Sequence, residues 1–285
     1  MFLSQVDSWL SLFVTLPGTV KGFLLLVLWV ILWLPLAWLM AKRVQWRPFT
    51  PLTPTQKLPM VASLYLVVPL LVWLLVTLEG TSVSDYGLWW RSVFLTSLLW
   101  GMGLAIVGLG IVFGVEGWLG WLVWQKQNLP RLGRLLLPLL GLGLWVGITE
   151  EVIFRGILLN LLEEDLALWI AAALSSAIFA LLHLVWERQE TLPQIPGLWL
   201  MGMVLVWARL VDGESLGLAS GLHAGWVWGL ASLDAAELIT YTGKGSDWII
   251  GWGKQPLAGL AGIICLLGTG LILWPLFQLI PKQYL

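Results

Sequence analysis

Apolar runs of about twenty residues recur along this chain, and they restrict its fold more than any other feature. Apolar residues make up 59% of the 285 positions and charged residues 11%, whereas soluble domains carry roughly 25% charged residues. A run of that length can cross the hydrocarbon core of a bilayer as a helix. Because backbone groups in lipid must satisfy one another, each run is predicted to be helical. The chain is therefore predicted to be an all-α polytopic membrane bundle of about eight transmembrane helices.

The apolar runs define the candidate spans, and the segments between them are predicted to be loops. The predicted spans are residues 22–41, 58–78, 92–114, 135–161, 165–186, 195–211, 215–233 and 256–279. The predicted loops are residues 47–59, 187–196 and 234–255, which contain proline, glycine or mixed charges. Residues 117–124 are too short to span and are expected at the membrane interface. Residues 2–13 place apolar side chains at helical spacing, which fits either a short helix on the membrane surface or a disordered tail.

The charges of the loops indicate an orientation and a compartment. Basic residues follow the first and third predicted spans, whereas the loops after the second, fourth and sixth spans lean acidic. Because short basic loops stay on the cytoplasmic side, we expect them to face the cytoplasm or the stroma-like side of an organelle membrane. The protein is thus expected to be an integral multi-pass protein of a cell membrane or of an organelle inner or thylakoid-type membrane.

Composition also excludes some classes of function. The one cysteine, Cys265, excludes an internal disulfide and any cysteine-based metal cluster. The formal net charge is -1, and the chain has no basic patch interleaved with aromatic residues. We therefore expect no nucleic-acid partner, and the lipid bilayer is the first partner that the sequence implies.

Ionisable side chains inside three of the predicted spans point to a buried polar site. The chain has two histidines, His183 and His223, and the fourth span carries the adjacent carboxylates Glu150 and Glu151. Each ionisable group at membrane depth costs roughly 2.5–3.5 kcal/mol on insertion scales. The two histidine-bearing spans are rich in small residues, which let helices approach closely. We predict one shared site, while a histidine considered alone fits equally well as a simple hydrogen-bonding group between helices.

Helical spacing separates the two glutamates. Glu151 and Arg155 are four residues apart with the acid first, which is the favourable order for an ion pair. Glu150 is rotated about 100° from Glu151 and is predicted to be the free carboxylate. When two carboxylates lie side by side in a low dielectric, one of them is suited to general acid–base catalysis.

Two further local predictions concern the fourth and sixth spans. Glu150 and His183 fall at different depths in their predicted spans. Either the span boundaries are misplaced or the helix breaks near Gly147, with Thr149 as the N-cap of a second helix, and we predict the break. Arg209 and Asp212 close the sixth span and are predicted to extend to the membrane interface.

At this point the residues resemble a known family. The motif matches, in chain order, are Glu150, Glu151 and Arg155 to E-E-x-x-x-R, Phe179 and His183 to F-x-x-x-H, and His223 to the first position of H-x-x-x-N/D. Three such motifs in register on successive predicted helices resemble the CAAX protease and bacteriocin-processing (CPBP, or Abi) family of intramembrane endopeptidases. The resemblance covers roughly residues 145–230, and the first half resembles the family only in being helical.

The resemblance implies an enzyme that hydrolyses a peptide bond in or near the bilayer. Glu150 and His183 would activate water, and His223 would stabilise the oxyanion. Glu151, Arg155 and Phe179 would support this arrangement. Val227 stands where the family usually has Asn or Asp, so His223 would hold the oxyanion alone or with another donor. We divide the chain into residues 1–134, with the surface helix and the first three spans, and residues 135–285, with the catalytic helical core and the last span.

More than one possibility remains open for the cofactor and for the function. Glu150, His183 and His223 match the ligand set of a catalytic Zn²⁺ with an open position for water. Family members have been classed as metalloproteases and have also been argued to be glutamate-dependent, so either Zn²⁺ or no cofactor is expected. The partner would be a membrane protein or peptide substrate. The alternatives are a catalytically inactive membrane adaptor or chaperone-like protein, favoured by Val227, and, less favoured, a proton-coupled carrier, for which no internal repeat is visible.

Overall fold

The computed structural model of the chain describes residues 13–47, 50, 53–88, 92–185 and 188–277. The main helices within these ranges are α1 (Gly18–Arg43), α2 (Pro54–Tyr65), α3 (Val68–Glu79), α4 (Ser92–Trp118), α5 (Leu129–Glu151), α6 (Leu159–Glu163), α7 (Leu168–Leu182), α8 (Ile195–Val211), α9 (Gly217–Ala235) and α10 (Leu260–Phe277). A π-helical segment, Val152–Leu158, joins α5 to α6. Residues 2–12 of the predicted surface helix lie outside the described residues.

Several of these helices are long and apolar enough to cross a membrane. Six qualify among the described residues: Gly18–Arg43, Pro59–Glu79, Ser92–Trp118, Lys126–Glu163, Leu168–Val185 and Arg188–Val211. A shorter apolar helix covers Leu260–Pro275. The predicted span at residues 215–233 corresponds to α9, and the one at residues 256–279 corresponds to α10. The protein is an integral multi-pass membrane protein built as a polytopic helical bundle.

The predicted loops contain more regular structure than their composition indicated. In the predicted loop 47–59, α2 already begins at Pro54, after a capping box in which the Gln56 side chain accepts a hydrogen bond from the Thr53 amide at 3.1 Å. Proline fits the first turn of a helix because its missing N–H is not needed there. Short helical turns, Arg188–Thr191 and Leu192–Gln194, occupy most of the predicted loop 187–196.

One two-stranded ribbon interrupts the helical pattern of the described chain. Strand β1 (Leu122–Trp124) pairs antiparallel with β2 (Ile239–Tyr241), with Val123 opposite Thr240. The strands lie in the predicted interfacial segment 117–124 and the predicted loop 234–255. Each strand has three residues, which is too short to show a period-two pattern in the sequence.

The predicted break at Gly147 is wrong. Helix α5 runs through Gly147 to Glu151, and the irregular turn is the π-helical segment that follows. Gly147 instead allows close packing: a Cβ there would lie 2.7 Å from the Ala224 amide nitrogen of α9. The continuous element from Lys126 to Glu163 has 38 residues, longer than a ~30 Å hydrocarbon core requires.

Helix α9 is held between α4 and α5 by backbone-to-backbone contacts at glycines. A Cβ on Gly221 would lie 2.1 Å from the Leu98 carbonyl of α4, and a Cβ on Gly143 would lie 2.8 Å from the Ala224 carbonyl. Small residues allow such approach in membrane helices, where packing rather than a hydrophobic driving force holds helices together. This packing places the histidine of α9 beside the carboxylates of α5.

A pair of glycines on α4 tests this packing. We expect Gly101→Ala to destabilise the protein by about 1–3 kcal/mol, because overpacking forces backbones apart and a Cβ at Gly101 would lie 2.4 Å from the Leu218 carbonyl. Gly103→Ala, two positions along, meets nothing within 4 Å and is expected to be neutral or mildly stabilising. Thermal unfolding in detergent, followed by tryptophan fluorescence, compares the two. Equal stability of both variants would contradict the packing described.

Candidate active site

Two adjacent glutamates at the end of α5 point to different partners. The Glu151 side chain is fully buried and pairs with Arg155, with 2.9 Å between Oε1 and Nη1. Arg155 lies in the π-helical segment, is also fully buried, and places its guanidinium carbon 4.4 Å from the centre of the Phe179 ring. A buried charge is tolerated only when it is paired, so each of these two groups requires the other.

His223 of α9 lies between the two glutamates. Its Nδ1 is 2.8 Å from Oε1 of Glu151, and its Nε2 is 3.5 Å from Oε2 of Glu150. A carboxylate can only accept, so Nδ1 donates its proton to Glu151, which fixes the ring and turns Nε2 toward Glu150. The side chain of His223 is 3% exposed, so this orientation is held away from water.

His183 stands where α7 ends and a short 3-10 turn begins. Its Nδ1 lies 2.8 Å from the carbonyl oxygen of Phe179, one turn earlier. A carbonyl also only accepts, so this bond assigns the proton to Nδ1 and leaves the lone pair on Nε2. The Phe179 ring lies near both imidazoles, with ring centres 4.6 Å from His183 and 5.9 Å from His223.

A cavity of about 1150 Å³ lies beside Glu150 and His183. Glu150, His183 and Val227 contribute to its wall, together with apolar side chains of α1 and α2. Oε2 of Glu150 is buried and makes no hydrogen bond to any described residue. The structure thus brings Glu150 and His183 to one cavity and places His223 against Glu150, while Glu151 and Arg155 lie behind them.

Contacts between distant helices hold this arrangement. The Ser175 hydroxyl of α7 donates to the Phe154 carbonyl at 2.8 Å, a backbone group of the π-helical segment. Gly202 of α8 leaves room for the guanidinium of Arg155, since a Cβ there would lie 3.0 Å from Nη2. Such π-helical segments occur frequently at functional sites, and this one lies between the pair of glutamates and α6.

Arg209 turns into the protein and does not extend outward as predicted, whereas Asp212 is half-buried. Arg209 is 3% exposed, donates to the Arg155 carbonyl and pairs with Glu214 at 2.8 Å. Asp212 accepts from the Ser97 hydroxyl at 2.5 Å and from the Leu218 amide at 3.0 Å, which satisfies the start of α9. Burial raises the pKa of Asp212 above its ordinary value. Sequence position near a helix end could not distinguish these inward contacts from exposure.

The sequence analysis missed Tyr65, which contributes to the site from the first half of the chain. Its hydroxyl donates to Oε1 of Glu150, it is 7% exposed, and it lies on the wall of the cavity. The chain has four tyrosines, and a phenol in the apolar run 58–78 was the signal available. No motif of the second half pointed to it.

The donor atoms of the site and their spacing determine whether a metal ion fits there. Each histidine uses Nδ1 for its bond to the Phe179 carbonyl or to Glu151, so Nε2 takes part in neither bond. An imidazole nitrogen is a donor that zinc accepts. The described residues contain no group of three His, Cys, Asp or Glu side chains spaced to hold a metal. The ligand positions therefore do not fit a bound metal as they stand, and Zn²⁺ stays a prediction.

With this geometry in place, the chain was compared with known proteins. Residues 132–229 match the family model of Rce1-like type II CAAX prenyl endopeptidases. This segment is similar to the CPBP family of membrane endopeptidases. The CPBP segment begins in α5 and ends in α9, so it contains both glutamates and both histidines. Comparison with curated proteins and with solved structures gives no match. The match confirms the resemblance drawn from the motifs.

The Arg155–Glu151 pair of the CPBP segment makes a stability prediction. We expect Arg155→Met to lower the free energy of unfolding by about 3–5 kcal/mol, because it leaves a buried charge without its partner. Arg131→Met removes an arginine whose 2.7 Å pair with Glu237 is exposed and is expected to cost under about 1 kcal/mol. Chemical denaturation in detergent measures both variants. Equal losses would show that the buried pair is not structurally required.

Proposed function

We propose that this protein is an intramembrane endopeptidase in which Glu150 activates the attacking water. The observation that carries the proposal is the state of Glu150: a buried carboxylate with one oxygen unbonded, on the wall of a large cavity and 3.5 Å from an imidazole. Buried ionisable groups of membrane helices usually serve function, since they cost free energy to insert. Similarity to a family of membrane endopeptidases favours a protein or peptide substrate.

Glu150 and His183 would act together on the water. A water molecule between them loses a proton to Glu150 as its oxygen forms a bond to the substrate carbonyl carbon. His183, with its lone pair on Nε2, orients the same water by accepting its second hydrogen. As the C–N bond breaks, the proton passes from Glu150 to the leaving nitrogen, so that atoms and charges balance. General acid–base catalysis of this kind contributes typically about 10²–10⁴-fold.

His223 would stabilise the negative charge on the carbonyl oxygen. When both ring nitrogens carry a proton, Nδ1–H donates to Glu151 and Nε2–H, on the side of Glu150, can donate to the carbonyl oxygen. Arg155 neutralises Glu151 and fixes it in place. One such donor is worth about 2.7–4 kcal/mol of transition-state stabilisation. Val227, one turn along α9, also lies on the cavity wall and adds no donor there.

Val227 is also the observation that favours the second candidate, a catalytically inactive adaptor. Because this residue is apolar, the cavity wall beside His223 lacks a polar group that catalysis would use. The complete set of Glu150, His183 and His223 favours the enzyme, because an adaptor gains nothing from keeping a buried carboxylate with one oxygen unbonded. Activity of the Glu150 variant distinguishes the two candidates.

Three substitutions test the catalytic roles. We expect Glu150→Gln, His183→Ala and His223→Ala each to lower the cleavage rate by at least about 100-fold. The assay uses the protein in liposomes and a panel of internally quenched peptides. Some of the peptides carry a prenylated cysteine followed by three C-terminal residues, and the others lack it. Glu164→Gln applies the same change to an exposed glutamate near the end of the same element, where its partner is Lys21 at 2.9 Å.

We expect Glu164→Gln to cleave as fast as the unaltered protein. The catalytic proposal fails if Glu150→Gln keeps the full cleavage rate on a peptide that the unaltered protein cleaves. A biological role that persists with Glu150→Gln would instead favour the adaptor.

Metal removal forms a separate test. Because the described residues contain no three-ligand group, we expect cleavage to persist after exhaustive chelation, with less than one equivalent of zinc by elemental analysis. The protein should regain no further activity when Zn²⁺ is added back. Loss of activity on chelation and its recovery with Zn²⁺ would restore the metalloprotease interpretation.

A further inference from the structure

Tyr65 lies outside the segment that matches the endopeptidase family, yet it contacts the central carboxylate of the site. It is the last residue of α2, while the family match covers residues 132–229. Its hydroxyl donates to Oε1 of Glu150, and Oε2 of the same carboxylate is the atom without a hydrogen bond to any described residue. The two oxygens of Glu150 therefore have different environments, and Tyr65 makes the difference.

This hydrogen bond determines which oxygen of Glu150 faces His223. The terminal torsion of a glutamate is broad and nearly two-fold, so a free carboxylate exchanges its two oxygens easily. A phenol bound to Oε1 holds the plane of the group and leaves Oε2 at 3.5 Å from Nε2 of His223. Without the phenol, Oε1 of Glu150 would lose its hydrogen-bond donor, and a buried acceptor without a partner costs free energy. The carboxylate would then turn toward other donors.

The backbone around Tyr65 is built to direct this side chain inward. Pro69, four residues on, has no N–H to offer to the Tyr65 carbonyl, and the helix is interrupted between α2 and α3 at Leu66 and Val67. The indole of Trp29 in α1 donates to the Leu64 carbonyl at 3.1 Å and so ties the end of α2 to α1. The interruption and this bond fix the position from which Tyr65 reaches α5.

From this geometry we infer that Tyr65 is a positioning residue for Glu150 and that the first half of the chain completes the active site. The inference rests on the proposed function of Glu150 and adds a group that acts through it. Tyr65 holds the carboxylate so that its reactive oxygen, Oε2, stays toward Nε2 of His223. The substrate carbonyl and water contact Glu150, while the phenol stays behind it.

Tyr65→Phe removes only the hydroxyl, and Tyr86→Phe provides the matched control. Tyr86 is 3% exposed and its hydroxyl donates to Glu79 at 2.9 Å. Both variants therefore lose one buried phenol–carboxylate bond, and only Tyr65 is bonded to Glu150. Thermal unfolding of both variants in detergent shows whether each remains folded.

Infrared difference spectroscopy reads the bond directly, without a substrate. Comparison of Glu150→Gln with the unaltered protein identifies the carboxyl band of Glu150. We expect Tyr65→Phe to shift this band, Tyr86→Phe to leave it in place, and Tyr65→Phe to have no such effect in the Glu150→Gln background. A Glu150 band that Tyr65→Phe leaves unmoved overturns the inference. If Tyr65→Phe does not fold, 3-fluorotyrosine at position 65 keeps the volume and changes the strength of the bond, with the same expected shift.

Cleavage of the quenched peptides by the protein in liposomes supplies the second readout. We expect Tyr65→Phe to lower kcat by about tenfold, as loss of a charge-assisted hydrogen bond does, with KM changed less than about twofold. Tyr86→Phe should keep the kcat of the unaltered protein. An unchanged kcat in Tyr65→Phe contradicts the positioning role, whereas a shifted band in a protein that cleaves none of the peptides contradicts the proposed function instead.

Discussion

The structure depends on the burial of a fixed set of charges where two distant parts of the chain meet. Arg155, Glu151 and His223 form one continuous network, with separations of 2.9 and 2.8 Å, and each of these side chains is at most 3% exposed. Removing any one of them would leave a charge or a hydrogen-bonding group without a partner in a dry interior. The network therefore requires α5, the π-helical segment and α9 to pack in one way only. Glu150 is placed by this requirement, because it is the residue next to Glu151.

Close packing of small residues makes this network possible. The glycines of α5 and α9 allow backbone atoms to approach nearly to contact, and the hydroxyl of Ser175 bonds the π-helical segment to α7. Larger side chains at these points would separate the helices by more than an imidazole can bridge. The Arg209 guanidinium adds a bond to the Arg155 carbonyl, so the arginine of the network is held by its backbone as well as by its charge. Rigidity of this kind is what an active site needs to hold its groups to within a fraction of an ångström.

Function follows from what the network leaves unsatisfied. Glu151 and Arg155 neutralise each other, His223 is oriented by Glu151, and one oxygen of Glu150 keeps no hydrogen bond among the described residues. Glu150 lies on the wall of a cavity which His183 also lines. Tyr65 binds the other oxygen from a helix that the family match does not cover. The motifs of the second half thus share a cavity with apolar side chains and one phenol from the first half.

The membrane class, the positions of the long helices and the four-residue pairing of Glu151 with Arg155 follow from the sequence itself, since they depend on composition and on neighbours along one helix. The motifs around Glu150, His183 and His223 also identified the family. Four features became evident only in the tertiary structure: the contact of Tyr65 with Glu150, the burial of Arg209, the strand pairing of residues 122–124 with 239–241 and the continuous helix through Gly147. Each of these depends on contacts between segments far apart in the chain. Local spacing specifies which side chains share a helical face, but only the packing of whole helices decides which faces meet.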